Sequence, residues 1–311
     1  MQGQTPPNDP TLRRSVVEMD ARAIDGDPVS IPSPPVGDGA GHAGPHRLDA
    51  APTEHWVSYA HGGIPDYLAK HYWWAYLSRF GVRFFDREPI ISAILFGNYR
   101  RLVDRTLGLL KRGKIGRTLQ LTCVYGSLTP HLAEYVPAED LHVVDVAPIQ
   151  LEATRRKLTR QAGGSRNIAR MARMNAESLA YADNSFDTIV IFFLFHELPA
   201  AVRERALTEA LRVLRPGGRL LITEYGQYTK THPFHRLRPL RRIFGALEPF
   251  LPGFWKEDLT ARISARSWIY AKRLSDALEE RIFGGFYRVT QYRIAAADAL
   301  GASPQLTGPG A

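Results

Sequence analysis

The chain of 311 residues contains one cysteine, Cys123. A single thiol excludes an intrachain disulfide and a cysteine-built metal cluster, and it fits a reducing compartment. Long apolar runs are also missing. The longest, residues 189–195, is far too short to span a bilayer. The N-terminal stretch has no apolar h-region, so no secretory signal is visible. No aromatic residue precedes Trp56, and the first 52 residues are dense in proline, glycine and aspartate. Such a segment cannot bury enough apolar surface to offset its ordering entropy, so residues 1–52 read as a disordered tail and 298–311 as a flexible one. Glycine is scarce where it matters most. The segment 118–129, Thr-Leu-Gln-Leu-Thr-Cys-Val-Tyr-Gly-Ser-Leu-Thr, holds only Gly126.

What is present is a core of ordinary size and an excess of basic charge. Hydrophobic residues make up 44% of the chain and aromatics 10%, enough for one large α/β domain. Forty Lys and Arg against 31 Asp and Glu give a net charge of +9, which favours anionic surfaces. No separate nucleic-acid-binding motif accompanies it, so nucleic acid is not an expected partner.

Apolar strands predict a sheet covered on both faces. They fall at 118–124, 141–146, 186–195 and 219–224, with a weaker one near 168–174. Residues 287–292 alternate as an edge strand would. Val202, Ala206, Leu207, Leu211 and Leu214 recur at helical spacing, and Arg215-Pro216-Gly217-Gly218 ends that helix. A helix-like segment begins at Pro130. Asp145 closes the second strand 19 residues after Gly126. A strand, a tight turn and an acid about 20 residues on form the layout of a Rossmann-type cofactor site.

Ahead of this core lies an aromatic block, 55–98, with Tyr67, Tyr72, Trp73, Trp74, Tyr76, Phe84 and Phe85. Pro65 and Pro89 mark helix starts. From Pro89, the residues Ile90, Ile91, Ile94, Leu95, Leu102 and Val103 approximate one helical face. The reading is a helical aromatic cap over residues 53–115, packed on the sheet and able to serve as a lid for a flat apolar substrate. The domain that follows covers 116–297. It carries a basic insertion at about 228–280, including the run Lys230 to Arg242 broken by Pro233 and Pro239. That run reads as a solvated face or as a patch for anionic lipid headgroups.

Four ordered motifs carry a family resemblance. They are Ala176-Glu177-Ser178-Leu179, Asp183-Asn184-Ser185-Phe186-Asp187, Phe195-His196-Glu197-Leu198-Pro199 and Leu211-Arg212-Val213-Leu214-Arg215-Pro216-Gly217-Gly218. They resemble the class I S-adenosylmethionine-dependent methyltransferases, most of all the branch that methylates quinone precursors. The resemblance implies a central, mostly parallel seven-stranded sheet with helices on both faces. It also implies that Asp145 and Val146 hold the ribose end of S-adenosylmethionine, that Asn175 and Ala176 lie beside the adenine, and that the turn Thr122, Val124, Tyr125, Gly126 faces the amino-acid end. Where that family has an acid and further glycines, this chain has Gln120, Thr122 and Val124.

The altered turn, with Ile64-Pro65-Asp66-Tyr67, Tyr72-Trp73-Trp74-Ala75-Tyr76 and Gly97-Asn98-Tyr99-Arg100-Arg101-Leu102, resembles the rhodoquinone biosynthesis proteins. That family shares the methyltransferase fold. The resemblance implies conversion of ubiquinone to rhodoquinone, with a ring methoxy group replaced by an amino group, S-adenosylmethionine as amino donor and manganese as metal. It places the work at the inner face of the cytoplasmic membrane. Tyr125, His196 and Glu197 are then candidate catalytic residues, His196 and Glu197 candidate metal ligands, and Asp66, Tyr67, Trp73 and Trp74 candidate substrate contacts. Two other readings stay open: a conventional methyltransferase on a quinone or other apolar acceptor, and a non-catalytic basic binding protein.

Overall fold

The computed structural model of the protein describes residues 59–60, 63–165, 168–230 and 232–296. The tails expected at 1–52 and 298–311 lie outside them.

Seven strands form one sheet: β1 (Thr118–Leu121), β2 (Leu141–Asp145), β3 (Arg170–Arg173), β4 (Phe186–Phe192), β5 (Leu214–Tyr225), β6 (Lys272–Ile282) and β7 (Tyr287–Ala296). Their order is β3-β2-β1-β4-β5-β7-β6. The first five are parallel and β7 runs antiparallel between β5 and β6. β1 and β2 are buried along their whole length. That is why they read as continuous apolar runs and not as alternating ones. Each fully buried Leu, Ile or Val contributes about 1.5–3 kcal/mol relative to exposure.

Helices cover the sheet. Among them α4 (Tyr99–Lys111), α5 (Leu128–Ala133) and α6 (Pro148–Gln161) pack in one group, and α7 (Ala200–Val213) packs with α11 (Leu259–Ser267) in another. α4 buries Leu102, Val103, Thr106, Leu107, Leu109 and Leu110. Its Thr106 hydroxyl meets that of Thr223 on β5 at 2.6 Å. α4 therefore belongs to the sheet's cover, although it falls inside the segment 53–115 read as a cap.

The aromatic block folds as a short-helix lid: α1 (Asp66–His71), a π-helical segment Trp73–Leu77, α2 (Arg79–Phe85) and α3 (Glu88–Ile94). Pro65 precedes α1 and Pro89 sits in the first turn of α3, as proline's fixed φ favours. The single helical face expected from Ile90 to Val103 is two helices. Phe96 and Gly97 adopt positive φ, 51° and 75°, and turn the chain between α3 and α4. After β5, α8 (Pro233–Arg236), α9 (Arg238–Leu247), α10 (Leu251–Phe254) and α11 fill the insertion, and β6 begins at Lys272.

The edge-strand expectation for 287–292 is corrected. β7 is internal, and even Arg288, Thr290 and Gln291 are buried. The edge on that side is β6, most of whose residues are exposed. Its charged sequence, Lys-Arg-Leu-Ser-Asp-Ala-Leu-Glu-Glu-Arg-Ile, lacks the apolar alternation that marks a half-buried strand. Other boundaries shift as well. β1 stops at Leu121, β4 stops at Phe192 where Phe193 turns left-handed (φ 55°), and the helix at Pro130 begins at Leu128. β5 begins at Leu214 and not at Arg219, so α7 ends at Val213 and Arg215-Pro216-Gly217-Gly218 lie in the strand.

Candidate active site

The carboxyl ends of β1, β2, β4 and β5 open into one cavity beneath the lid. From the sheet it is lined by Thr122, Cys123, Val124, Tyr125, Asp145, Val146, Asn175, Ala176, His196 and Glu197. From the lid and insertion it is lined by Tyr67, Tyr72, Trp74, Tyr76, Phe85, Ile94 and Glu248. Most residues expected to hold cofactor therefore share one space. Gly126, Asp66 and Trp73 do not line it.

The β1 turn takes left-handed backbone at Thr122 as well as at Gly126. Thr122 has φ 75°, an outlying value for a β-branched residue. Gln120, fully buried at the end of β1, donates from Nε2 to the Thr122 carbonyl at 2.9 Å. A carboxylate there has no proton to give, so Gln120 and Thr122 read as one coupled change. Gly126 (φ 77°) is structural. A Cβ there would lie 2.4 Å from the Tyr99 hydroxyl, and its N–H donates to Asp86 Oδ1 at 2.9 Å. Lys157 pairs with the same Asp86 oxygen at 2.6 Å and donates to the Gly126 carbonyl at 2.9 Å.

Tyr125 reaches the lid. Its hydroxyl donates to the Ala75 carbonyl at 2.6 Å and accepts from Gln150 Nε2 at 2.9 Å. Its ring stacks on Tyr76 at 5.4 Å with a 6° interplanar angle. Burial pushes its phenol well above the usual range, so Tyr125 latches the lid and stays protonated.

Asp145 accepts from the backbone N–H of Cys123 and of Ala147, each at 2.8 Å. Burial raises its pKa to about 6 against these hydrogen bonds. Each oxygen keeps a second lone pair, so the carboxylate can still accept from ligand hydroxyls.

At the far side, β4 gives way to a one-turn 3₁₀ segment, Phe195–Glu197. Glu224, fully buried near the end of β5, holds that turn with both oxygens. Oε1 accepts from the Phe195 N–H at 2.6 Å and Oε2 lies 2.8 Å from His196 Nδ1. Burial opposes a charge on His196, but Glu224 outweighs it and raises the pKa to about 9. Glu197 is pushed up to about 8 by burial, with His196 opposing and Glu248 adding. Burial also raises Glu248. Ligand atoms of His196, Glu197 and Glu248 all lie within 4.8 Å of one another. Two lid tyrosines cap the acids: Tyr76 donates to Glu197, and Tyr72 to Glu248 at 2.9 Å.

Sequence reasoning missed Glu248, Glu224, Tyr72, Tyr76 and Gln150. Two signals were available. Glu224 is an acid closing an apolar strand, and Glu248 is the first acid after a stretch holding five cations, Lys230, Arg236, Arg238, Arg241 and Arg242. Asp183 and Asp187 are structural, paired with Arg212 and Arg215.

A family model described as a methyltransferase domain matches residues 119–222. The chain is 33% identical over 137 residues to a demethylmenaquinone methyltransferase of Lactiplantibacillus plantarum, covering 44% of this chain and 56% of that protein. It is 38% identical over 126 residues to a demethylmenaquinone methyltransferase of Thermus thermophilus, covering 40% and 53%. It is 31% identical over 145 residues to a ubiquinone/menaquinone biosynthesis C-methyltransferase of Stutzerimonas stutzeri, covering 46% and 55%. The chain thus spans about half the length of the curated relatives it matches. Residues 119–222 thus match a methyltransferase-domain model, and the strand order around them gives the chain the Rossmann-like fold of the class I methyltransferases.

Proposed function

We propose that this protein is an S-adenosylmethionine-dependent transferase that acts on the ring of a membrane quinone. In this reading it converts ubiquinone to rhodoquinone by replacing a ring methoxy group with the donor's amino group. The observation that carries the reading is the shared cavity. Asp145, Asn175 and Ala176 lie at the ends of β2 and β3, His196 and Glu197 follow β4 and join Glu248 in one cluster, and Tyr76, Phe85 and Tyr125 line the same cavity. Relatives named as demethylmenaquinone methyltransferases point to a quinone acceptor.

The donor set fits manganese. Carboxylate and imidazole suit that ion. The Glu224 contact engages His196 Nδ1 and leaves Nε2 toward Glu197 Oε1, 3.9 Å away. His196, Glu197 and Glu248 would hold the metal, which when bound supplies Lewis-acid polarisation of the quinone oxygens.

The chain's own groups do the rest. Asp145 would accept the ribose hydroxyls. A carboxylate of the cluster that the metal leaves free can take a proton from the attacking amine and return it to the departing methoxide. In that substitution the nitrogen–ring bond forms, the ring carbon–oxygen bond breaks and methanol leaves. The nitrogen is then freed in balance if the donor's Cα–H electron pair reduces the quinone ring as an imine forms, and water splits that imine into the aminohydroquinone, the reduced form of rhodoquinone, and the donor's α-keto acid. Tyr125 and the lid enclose the ring.

Ubiquinone resides in the bilayer, so the protein would work peripherally at the cytoplasmic face of the membrane. No helix among the described residues is long and apolar enough to cross one. Conventional methyl transfer is the second reading, favoured by the methyltransferase-domain match. Incubation with ubiquinone, S-adenosylmethionine and manganese separates the two. Rhodoquinone supports the first, whereas a methylated quinone with S-adenosylhomocysteine supports the second.

A further inference from the structure

The cavity lining does not stop at the surface. Trp74 and Ile94 both line the cavity and stand 40% and 44% exposed. More exposed apolar side chains stand on the lid and on α9: Trp73 at 57%, Phe80 at 81%, Ile243 at 53% and Leu247 at 56%. The lid and α9 meet at this rim. Tyr72 donates to Glu248 at 2.9 Å, and their sequence neighbours Trp73 and Leu247 are the exposed residues. A second seam joins Phe96 to Phe244 at 6.0 Å and to Phe234 at 4.7 Å.

Cations accompany the apolar groups. Arg236, Arg238 and Arg242 are exposed on α8 and α9, Arg242 next to Ile243, whereas Arg79, Arg83 and Arg87 line a groove between α2 and α6. Between Glu224 and Glu248 the sequence carries Lys230, Arg236, Arg238, Arg241 and Arg242 and no acid. The lid acids nearby are engaged, Asp86 by Lys157 and Glu88 by Arg100. Exposed aromatic and aliphatic groups beside arginine form the pattern of an interfacial anchor, where apolar groups enter the acyl boundary and cations meet headgroups.

We propose that the lid–α9 rim docks on an anionic phospholipid bilayer, with Trp73, Phe80, Ile243 and Leu247 as the inserting side chains. The cavity then opens toward the acyl chains, and an apolar tail stays in the membrane while its head group enters past Trp74 and Ile94. This rests on the quinone reading for the tail, though not for the docking itself.

The full chain is floated with vesicles of phosphatidylcholine alone and of phosphatidylcholine with phosphatidylglycerol, and tryptophan quenching by brominated lipid is recorded. Binding should require phosphatidylglycerol, weaken with salt and show quenching. Phe80→Glu combined with Ile243→Glu should lower partitioning about tenfold or more, while the calorimetric affinity for S-adenosylmethionine stays unchanged. Equal partitioning of the double variant overturns the proposal. So does absence of vesicle binding by the native chain, or salt-sensitive affinity for duplex DNA in its place. Conversion of a short-tailed quinone without vesicle binding would leave the chemical reading standing and remove the docking. Vesicle binding without any conversion of quinone would do the reverse.

Discussion

His196 Nδ1 lies 2.8 Å from Glu224 Oε2, both side chains buried, and this contact directs the other ring nitrogen toward Glu197. An outer carboxylate of this kind fixes the tautomer and orientation of a metal-binding imidazole. Glu224→Gln should therefore weaken Mn2+ binding by about ten- to a hundredfold. Glu248→Gln, which removes a direct ligand, should weaken it at least as much. Titration followed by the spin-resonance signal of free Mn2+ checks both. Unchanged affinity in Glu248→Gln would remove the three-residue site.

Asp145 gives a pH dependence. Its folded pKa is raised to about 6, above the ordinary carboxylate range. The stability this group contributes is full below its unfolded pKa and is lost as pH rises through 6. Ligand binding runs the other way, because only the carboxylate can accept both ribose hydroxyls. Affinity for S-adenosylmethionine should fall as pH drops through about 6 in isothermal titration. Asp145→Asn should bind about tenfold or more weakly and lose that pH dependence.

The β1 turn predicts opposite signs for two substitutions. Gln120→Glu puts a buried carboxylate against the Thr122 carbonyl and removes the donor. It should cost about 1–3 kcal/mol in urea unfolding. Thr122→Gly relieves a left-handed β-branched residue and should be neutral or stabilising by about 1 kcal/mol. A large loss in Thr122→Gly would show that the turn is not strained.

Tyr125 ties the turn to the lid through Ala75 and Gln150. Tyr125→Phe keeps the ring stack and loses both hydrogen bonds, a cost of about 1–3 kcal/mol. Amides of residues 73–85 should exchange faster in that variant. Tyr125→Gly also loses the stack on Tyr76 and should slow product formation. Full-rate rhodoquinone formation by Tyr125→Gly would remove the role given to this turn.

The parallel core was legible because strands buried on both faces read as apolar runs, and Asp145 was legible because its spacing from Gly126 belongs to the β-turn-α unit itself. The edge strand β6 was not legible, since one covered face leaves little apolar signal in a charged sequence. The lid's break at Phe96 and Gly97 was hidden because left-handed Phe is rare. Two of the three members of the metal-type cluster, His196 and Glu197, were readable because they are adjacent. Glu248 lies 51 residues further on, and only the packing of α9 against the lid brings it back. Tyr72 and Tyr76 stood in the aromatic block, but nothing in sequence told a lid-forming tyrosine from one that caps an acid.

The central claim is that the cavity moves nitrogen from S-adenosylmethionine to a quinone ring. Purified protein with manganese, ubiquinone and S-adenosylmethionine labelled with 15N at the α-amino group tests it directly by product mass. Rhodoquinone carrying the label is the expected product. Unlabelled aminoquinone, or a quinone that gains only a methyl group, would contradict it.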